Sequence, residues 1–269
     1  MEFQTFLTTV GGVFDNPQVN GQAPGSVLFS ADFPGTGGGE SAEFLEAADS
    51  GAFNMDGSWT VVAFVRPTFL AGATNQRGVF SKGVNTDATT LVFALSVDRT
   101  AADQGRARIF FSDGVTTVSS ASTAAASIAN NAWHFIQATF NAATGVLAVA
   151  VDRGTEATAT SVVANAELLV AELRVGGTFG TGTNDFAGQI CLIGEWPRVL
   201  TSNELDELYN GGLGALYENL GPTLTADVEA YFELDEESDG SGAVARVDST
   251  GGPSLSDPDH IPSSSNVPS

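Results

Sequence analysis

Five consecutive residues, Glu233-Leu234-Asp235-Glu236-Glu237, carry four carboxyl groups. On a strand, Glu233, Asp235 and Glu237 would share one face, because side chains alternate. Retaining glycoside hydrolysis uses an acid and a nucleophile roughly 5–5.5 Å apart, a spacing that residues two apart on a strand can approach. The two histidines, His134 and His260, are far apart in sequence. His134 opens an alternating apolar run, where packing or a surface hydrogen bond is the economical role. No His, Asp or Glu cluster has metal-ligand spacing. The glycine runs at 37–39 and 176–182 carry no lysine and open no expected helix, so they are read as loops rather than phosphate cradles. Trp59, Trp133 and Trp196 could stack on a sugar, yet each falls where a core anchor is expected. Cys191 is alone, which excludes an intrachain disulfide, and reads as a small buried hydrophobe.

The chain of 269 residues can bury a sizeable core. Its 32 acidic against 10 basic residues give a net charge of −22. That field repels phosphate backbones and anionic membrane surfaces, so neither nucleic acid nor membrane insertion is expected. Lys82 is the sole lysine. MEFQTFLTTV lacks a basic n-region, so no signal peptide is expected there, and no apolar run reaches membrane-spanning length.

Short apolar runs separated by turn residues must carry these groups. Strands are expected at 27–29, 59–66, 78–82, 91–97, 106–112, 115–119, 133–140, 147–151 and 168–175. In WHFIQATF, Ile136, Ala138 and Phe140 share one face. The segment 121–129 reads as an extended loop, with a short helix as the alternative. One helix is expected over 202–209. Thr201 and Glu204 form its capping box, Leu205, Leu208 and Tyr209 lie on one side, and Asn210-Gly211-Gly212 offers a left-handed stop. The chain divides into an arm (1–24), a sandwich (25–221) and a C-terminal strand with a Pro/Ser-rich tail (222–269). Ala230–Leu234 either closes its own sheet or adds to a neighbour's edge.

FAGQICLIGEWPRVLTSNELDELYN resembles the closing segment of laminin-G-like domains, in the concanavalin A-like jelly-roll superfamily. SWTVVAFVRP, RGVFSKG and WHFIQATFNAATGVLAVAVDRG resemble that family's earlier strands, in order, with Phe64 where tryptophan is usual. VEAYFELDEESDGSG resembles an opening strand of the same family, displaced to the end of the chain. The resemblance spans roughly residues 25–210. It implies an all-β fold: two antiparallel sheets in a jelly-roll sandwich. Some members bind calcium through loop oxygens, for which Asp98, Asp113, Asp152, Asp185 and Asp248 are candidates; each is more economically a turn or cap former. Cys191 stands where the family commonly has an aspartate. The run at 233–237 superficially resembles the carboxylates of laminarinase-type hydrolases. However, Glu236 replaces an apolar residue there, and the run lies outside those enzymes' strand order.

These readings lead to a non-catalytic structural or adhesive module on the exterior of an assembly, foremost a virion-surface decoration or fibre protein. Its partners would be copies of itself, other structural proteins or cell-surface glycans. The alternatives are a lectin module of a secreted or cell-surface protein, and a glycoside hydrolase. No catalytic, metal-binding, cofactor-binding or glycan-contact residue is assigned.

Overall fold

The structure, a computed structural model, describes residues 30–33, 44–49, 53–69, 76–83, 91–98, 102–115, 117–163, 171–177, 186–236, 245–252, 254–257, 261–264 and 267–268. The expected arm, the strand at 27–29, Asp185, Glu237 and His260 lie outside them. In chain order the strands are β1 (Ser30–Phe33), β2 (Leu45–Ala47), β3 (Trp59–Pro67), β4 (Gln76–Gly83) and β5 (Leu91–Asp98). There follow β6 (Ala107–Ser112), β7 (Val118–Ser122), β8 (His134–Asn141), β9 (Val146–Val151) and β10 (Ala157–Thr160). The last are β11 (Leu173–Val175), β12 (Gly188–Trp196), β13 (Ala230–Phe232) and β14 (Ser263–Ser264). The helix α1 spans Ser202–Tyr209, and a single further turn, α2, spans Pro222–Thr225.

Two antiparallel sheets face each other. One runs β10-β9-β8-β3-β12-β1-β14, with β13 also on β12; the other runs β2-β11-β4-β5-β6-β7. Period-two alternation puts Val61, Ala63 and Val65 of β3 and Ile136, Ala138 and Phe140 of β8 between the sheets. They meet Phe80, Phe93, Leu95, Ile109 and Phe111 from the other sheet. Trp59 meets Phe111 edge-on at 5.4 Å, and Phe111 lies 4.8 Å from Phe140. Each such side chain contributes about 1.5–3 kcal/mol by leaving water.

The first sheet is also covered outside. Val62, Phe64, Phe135, Leu192 and Trp196 form a second core with Leu205 and Leu208 of α1, Leu224, Tyr231 and Val267. Burial on both faces explains why β3 and β12 read as near-continuous apolar runs. Helix α1 forms as its sequence dictates. The Thr201 hydroxyl accepts from the Glu204 N–H, the Glu204 carboxylate accepts from the Thr201 N–H, and Asn210 turns left-handed at φ 47°. Arg198 grips Glu204 with two N–H donors at 2.7 and 2.8 Å, and Asp227 at 2.6 Å. These bonds hold the Glu204 carboxyl down at about 2.

On one side, β12 pairs with β1 at residues 188–190 and with β13 at residues 193–195. A bulge between Cys191 and Gly194 separates the two, with Leu192 left-handed at φ 51°. Ala230–Phe232 therefore pairs within its own chain. The sequence showed no core-forming pattern after 252, but Leu255, Ile261 and Val267 are buried. Isolated bridges such as Arg246↔Leu255 hold this segment, and such bridges leave no periodic trace.

Candidate functional site

The carboxylate run does not form the face that its spacing suggested. Strand β13 ends at Phe232, and Leu234 is left-handed at φ 59°, which breaks the two-residue alternation. Glu233 accepts a hydrogen bond from the Tyr217 N–H at 2.7 Å, and burial pushes its carboxyl up to about 7. Burial also raises Asp235 and Glu236, and Glu236 accepts from the Val247 N–H. These groups secure the chain beyond β13.

His134 is engaged at both ring nitrogens. Nε2 accepts from the Ala129 N–H at 2.9 Å, and Nδ1 meets Asp152 at 2.6 Å. The four calcium candidates among the described residues are dispersed, and each has protein partners. Asp98 is buried beside Arg108 at 3.0 Å. Asp113 accepts from the N–H groups of Val115 and Thr117, and Asp152 from that of Phe135. Asp248 accepts from the N–H groups of Tyr231 and Thr250. Among the described residues, no group of three His, Cys, Asp or Glu side chains is placed to hold a metal ion. Trp59 and Trp196 are fully buried, and Trp133 packs half-buried against the outer core. Cys191 is buried, and burial pushes its thiol up.

Strand register brings together a different set. Across the second sheet the partners run Glu46↔Arg174↔Ser81↔Ala94↔Phe110↔Ser120. A second row runs Ser96↔Arg108↔Ser122. Their neighbours Phe80, Lys82, Phe93, Leu95, Ile109 and Phe111 point inward, so both rows lie on the outer face. Ser81, Ala94 and Ser96 make a floor of small side chains that is itself covered, each only 1–2% exposed, with the Ser81 hydroxyl donating to the Gly177 carbonyl. Arg174 and Phe44 stand on one bank, with the guanidinium 3.8 Å from the ring centroid. Arg108 and Phe110 stand on the other at 5.6 Å. The banks are three strand spacings apart, about 14 Å. Guanidinium N–H groups can donate to hydroxyl or carboxylate oxygens, and ring faces suit the C–H face of a sugar. Sequence reading missed this row, although Arg108 and Phe110 sit at alternate positions of one strand.

A second set lies between the sheets at one end of the sandwich. Glu195 of β12 points inward and is only 2% exposed, and its Oε2 has no hydrogen-bond partner among the described residues. Burial, reinforced by the charge of Glu229, pushes its carboxyl well above the ordinary range. Lys82 points inward from the facing sheet and binds Asp49 and the Asn54 side chain, each at 2.7 Å. A cavity of about 130 Å³ lies here, lined by Glu195, Trp59, Phe53, Asn54 and Met55 among others.

No curated protein matches the sequence. Among solved structures, a Bacteroides ovatus protein assigned by inference to carbohydrate binding is similar with a TM-score of 0.58 and 14% identity. The match covers 87% of this chain and 58% of that protein, so the chain spans less than two thirds of its length. The CBM40 module of the Ruminococcus gnavus IT-sialidase, bound to α2,3-sialyllactose, matches with a TM-score of 0.50 and 14% identity. That match covers 67% of this chain and 97% of the module. Both likenesses concern the fold. A family model for the concanavalin A-like lectin/glucanases superfamily matches residues 37–206, well over half the chain. With the order of strands and the two facing sheets, that match establishes that the chain belongs to the concanavalin A-like lectin/glucanase superfamily.

Proposed function

We propose that this protein is a non-catalytic glycan-binding module that works on the exterior of an assembly. The observation that carries the reading is the outer face of the second sheet. There, two Arg–aromatic banks flank a floor of Ser81, Ala94 and Ser96. A glycan of more than one sugar, reaching across the two banks, offers hydroxyl acceptors to Arg108 and Arg174 and a C–H face to Phe110. The similar solved proteins, whose descriptions name carbohydrate binding and sialyllactose, support the same ligand class. Glu233, once a candidate for hydrolysis, holds the Tyr217 backbone N–H instead, which favours binding over cleavage.

The exterior setting belongs to the same proposal. A net charge of −22 with a single lysine gives a soluble surface that repels nucleic acid and anionic lipid. A virion surface is the version we favour, with copies of this chain or other structural proteins as neighbours. We also propose that residues 1–24 act as an arm and that 222–269 complete the sandwich of 25–221.

The test is a glycan array probed with the full chain, followed by Arg108→Ala and Phe110→Ala. Each substitution should weaken binding by about tenfold or more while leaving the melting temperature within a few degrees. An array without a single positive glycan, or positives indifferent to both substitutions, refutes the site. Presence of the protein in purified particles tests the setting independently.

A further inference from the structure

We propose that the cavity between the sheets is a second ligand site, separate from the sheet face, that takes the end of a neutral polyhydroxylated molecule such as a hexose. Among the described residues, two buried polar atoms of its lining side chains have no partner: Glu195 Oε2 and the Trp59 Nε1–H. Buried polar groups are nearly always paired, so two orphans lining one cavity call for an explanation. Their positions suit a shared partner. Glu195 pairs with Val61, so Trp59, two residues earlier on β3, is its diagonal neighbour on the inner face. Such neighbours lie about 7–8 Å apart at the backbone, within reach of one bridging hydroxyl between two long side chains.

The lining selects the ligand. An anion would meet the carboxylates of Glu229 and Asp56 at the cavity wall. A metal ion would find a single buried carboxylate and the positive end of an indole dipole. A wholly apolar guest would leave both orphans unpaired. A hydroxyl donates and accepts at once, and so serves Glu195 and Trp59 together. Phe53, Met55 and Pro197 supply apolar surface for the C–H groups of a ring. The volume of about 130 Å³ holds the edge of one sugar ring rather than a chain. The wall is also fixed before binding. Phe53 and Met55 are left-handed at φ 62° and 56°, and Asn54 between them is tied to Lys82.

The experiment is a nitrogen-labelled NMR titration of the full chain with glucose, galactose and mannose, using glucuronic acid as the anionic control. The Trp59 indole N–H resonance, identified by its loss in Trp59→Phe, should move with at least one neutral hexose. That of Trp196 should stay, because it donates to the Leu224 carbonyl at 2.8 Å. Glu195→Leu should weaken the effect about tenfold, the loss of one buried hydrogen bond. Arg108→Ala should leave it intact. A Trp59 resonance unmoved by all three hexoses overturns the proposal. So does an equal response to glucuronic acid, or a response that survives Glu195→Leu.

Discussion

Replacing Glu204 with glutamine separates charge from shape at the clip that holds α1 against the sandwich. Glutamine keeps an oxygen for the Thr201 N–H but loses the charge facing Arg198. The Glu204 carboxyl lies at about 2 when folded, against an ordinary value of 4.5. The cause is first the Arg198 hydrogen bonds, then the Thr201 contacts, working against burial. A displacement of that size corresponds to about 3 kcal/mol at most. Because Arg198 keeps 29% of its side chain in water, about 2 kcal/mol is the better expectation. The sign follows from linkage. A carboxyl lowered on folding stabilises fully above its unfolded value, and loses that contribution as pH falls from about 4.5 toward 2. Urea titrations of wild type and Glu204→Gln should therefore differ by about 2 kcal/mol at pH 7, or several degrees in melting temperature. The curves should converge near pH 2. A gap that stays constant across this range, or one below about 0.5 kcal/mol at neutral pH, would show that the Arg198 pair carries no net charge stabilisation.

Two further substitutions test other parts of the structure. Gly188→Ala puts a Cβ 2.1 Å from the Arg66 carbonyl at φ +125°. It should cost about 3 kcal/mol or more, and a calorimetric melt within a degree of wild type would contradict the β12–β3 register. Glu233→Gln addresses a carboxyl raised on folding to about 7. Such a group stabilises below its unfolded value and loses that contribution as pH rises through 7. The variant should match wild type at pH 4 and exceed its melting temperature at pH 8; the opposite order would mean that the Glu233 charge is favourably solvated.

Much of the architecture was legible because one-sided strands announce their faces. Ile136, Ala138 and Phe140 lie between the sheets as their alternation requires, and α1 starts and stops at Thr201 and Asn210 as its caps dictate. Doubly buried strands gave their existence but not their partners: nothing in WTVVAFVRP says that β12 and β8 flank it. The segment after 245 was opaque for another reason. Leu255 and Ile261 are single residues pinned by bridges and by Arg246, whose guanidinium is fully buried and donates to the Ile261 carbonyl at 2.7 Å. The candidate sites were hidden because a sequence lists charges without saying which face they take. Read by parity from Phe80, Lys82 falls inside; read from Ile109 and Phe111, Arg108 and Phe110 fall outside.

That parity couples the two sites physically. Strand β4 sends Lys82 inward to hold the Asn54 wall of the cavity, and Ser81 to the opposite face, onto the covered floor between the two banks. A slip of one residue would exchange them, placing an unpaired ammonium on the floor and a hydroxyl against Asp49. The register is therefore under constraint from both faces. It is set by the bulge between Gly78 and Phe80, which lets Val79 and Phe80 both join the core. Lys82 cannot leave the interior without giving up both Asp49 and the Asn54 side chain, so these contacts act as a register lock as well as a wall support. Removing the bulge by deleting Val79 should therefore disturb the cavity and the sheet face together. Substituting Ser81 alone should disturb only the face.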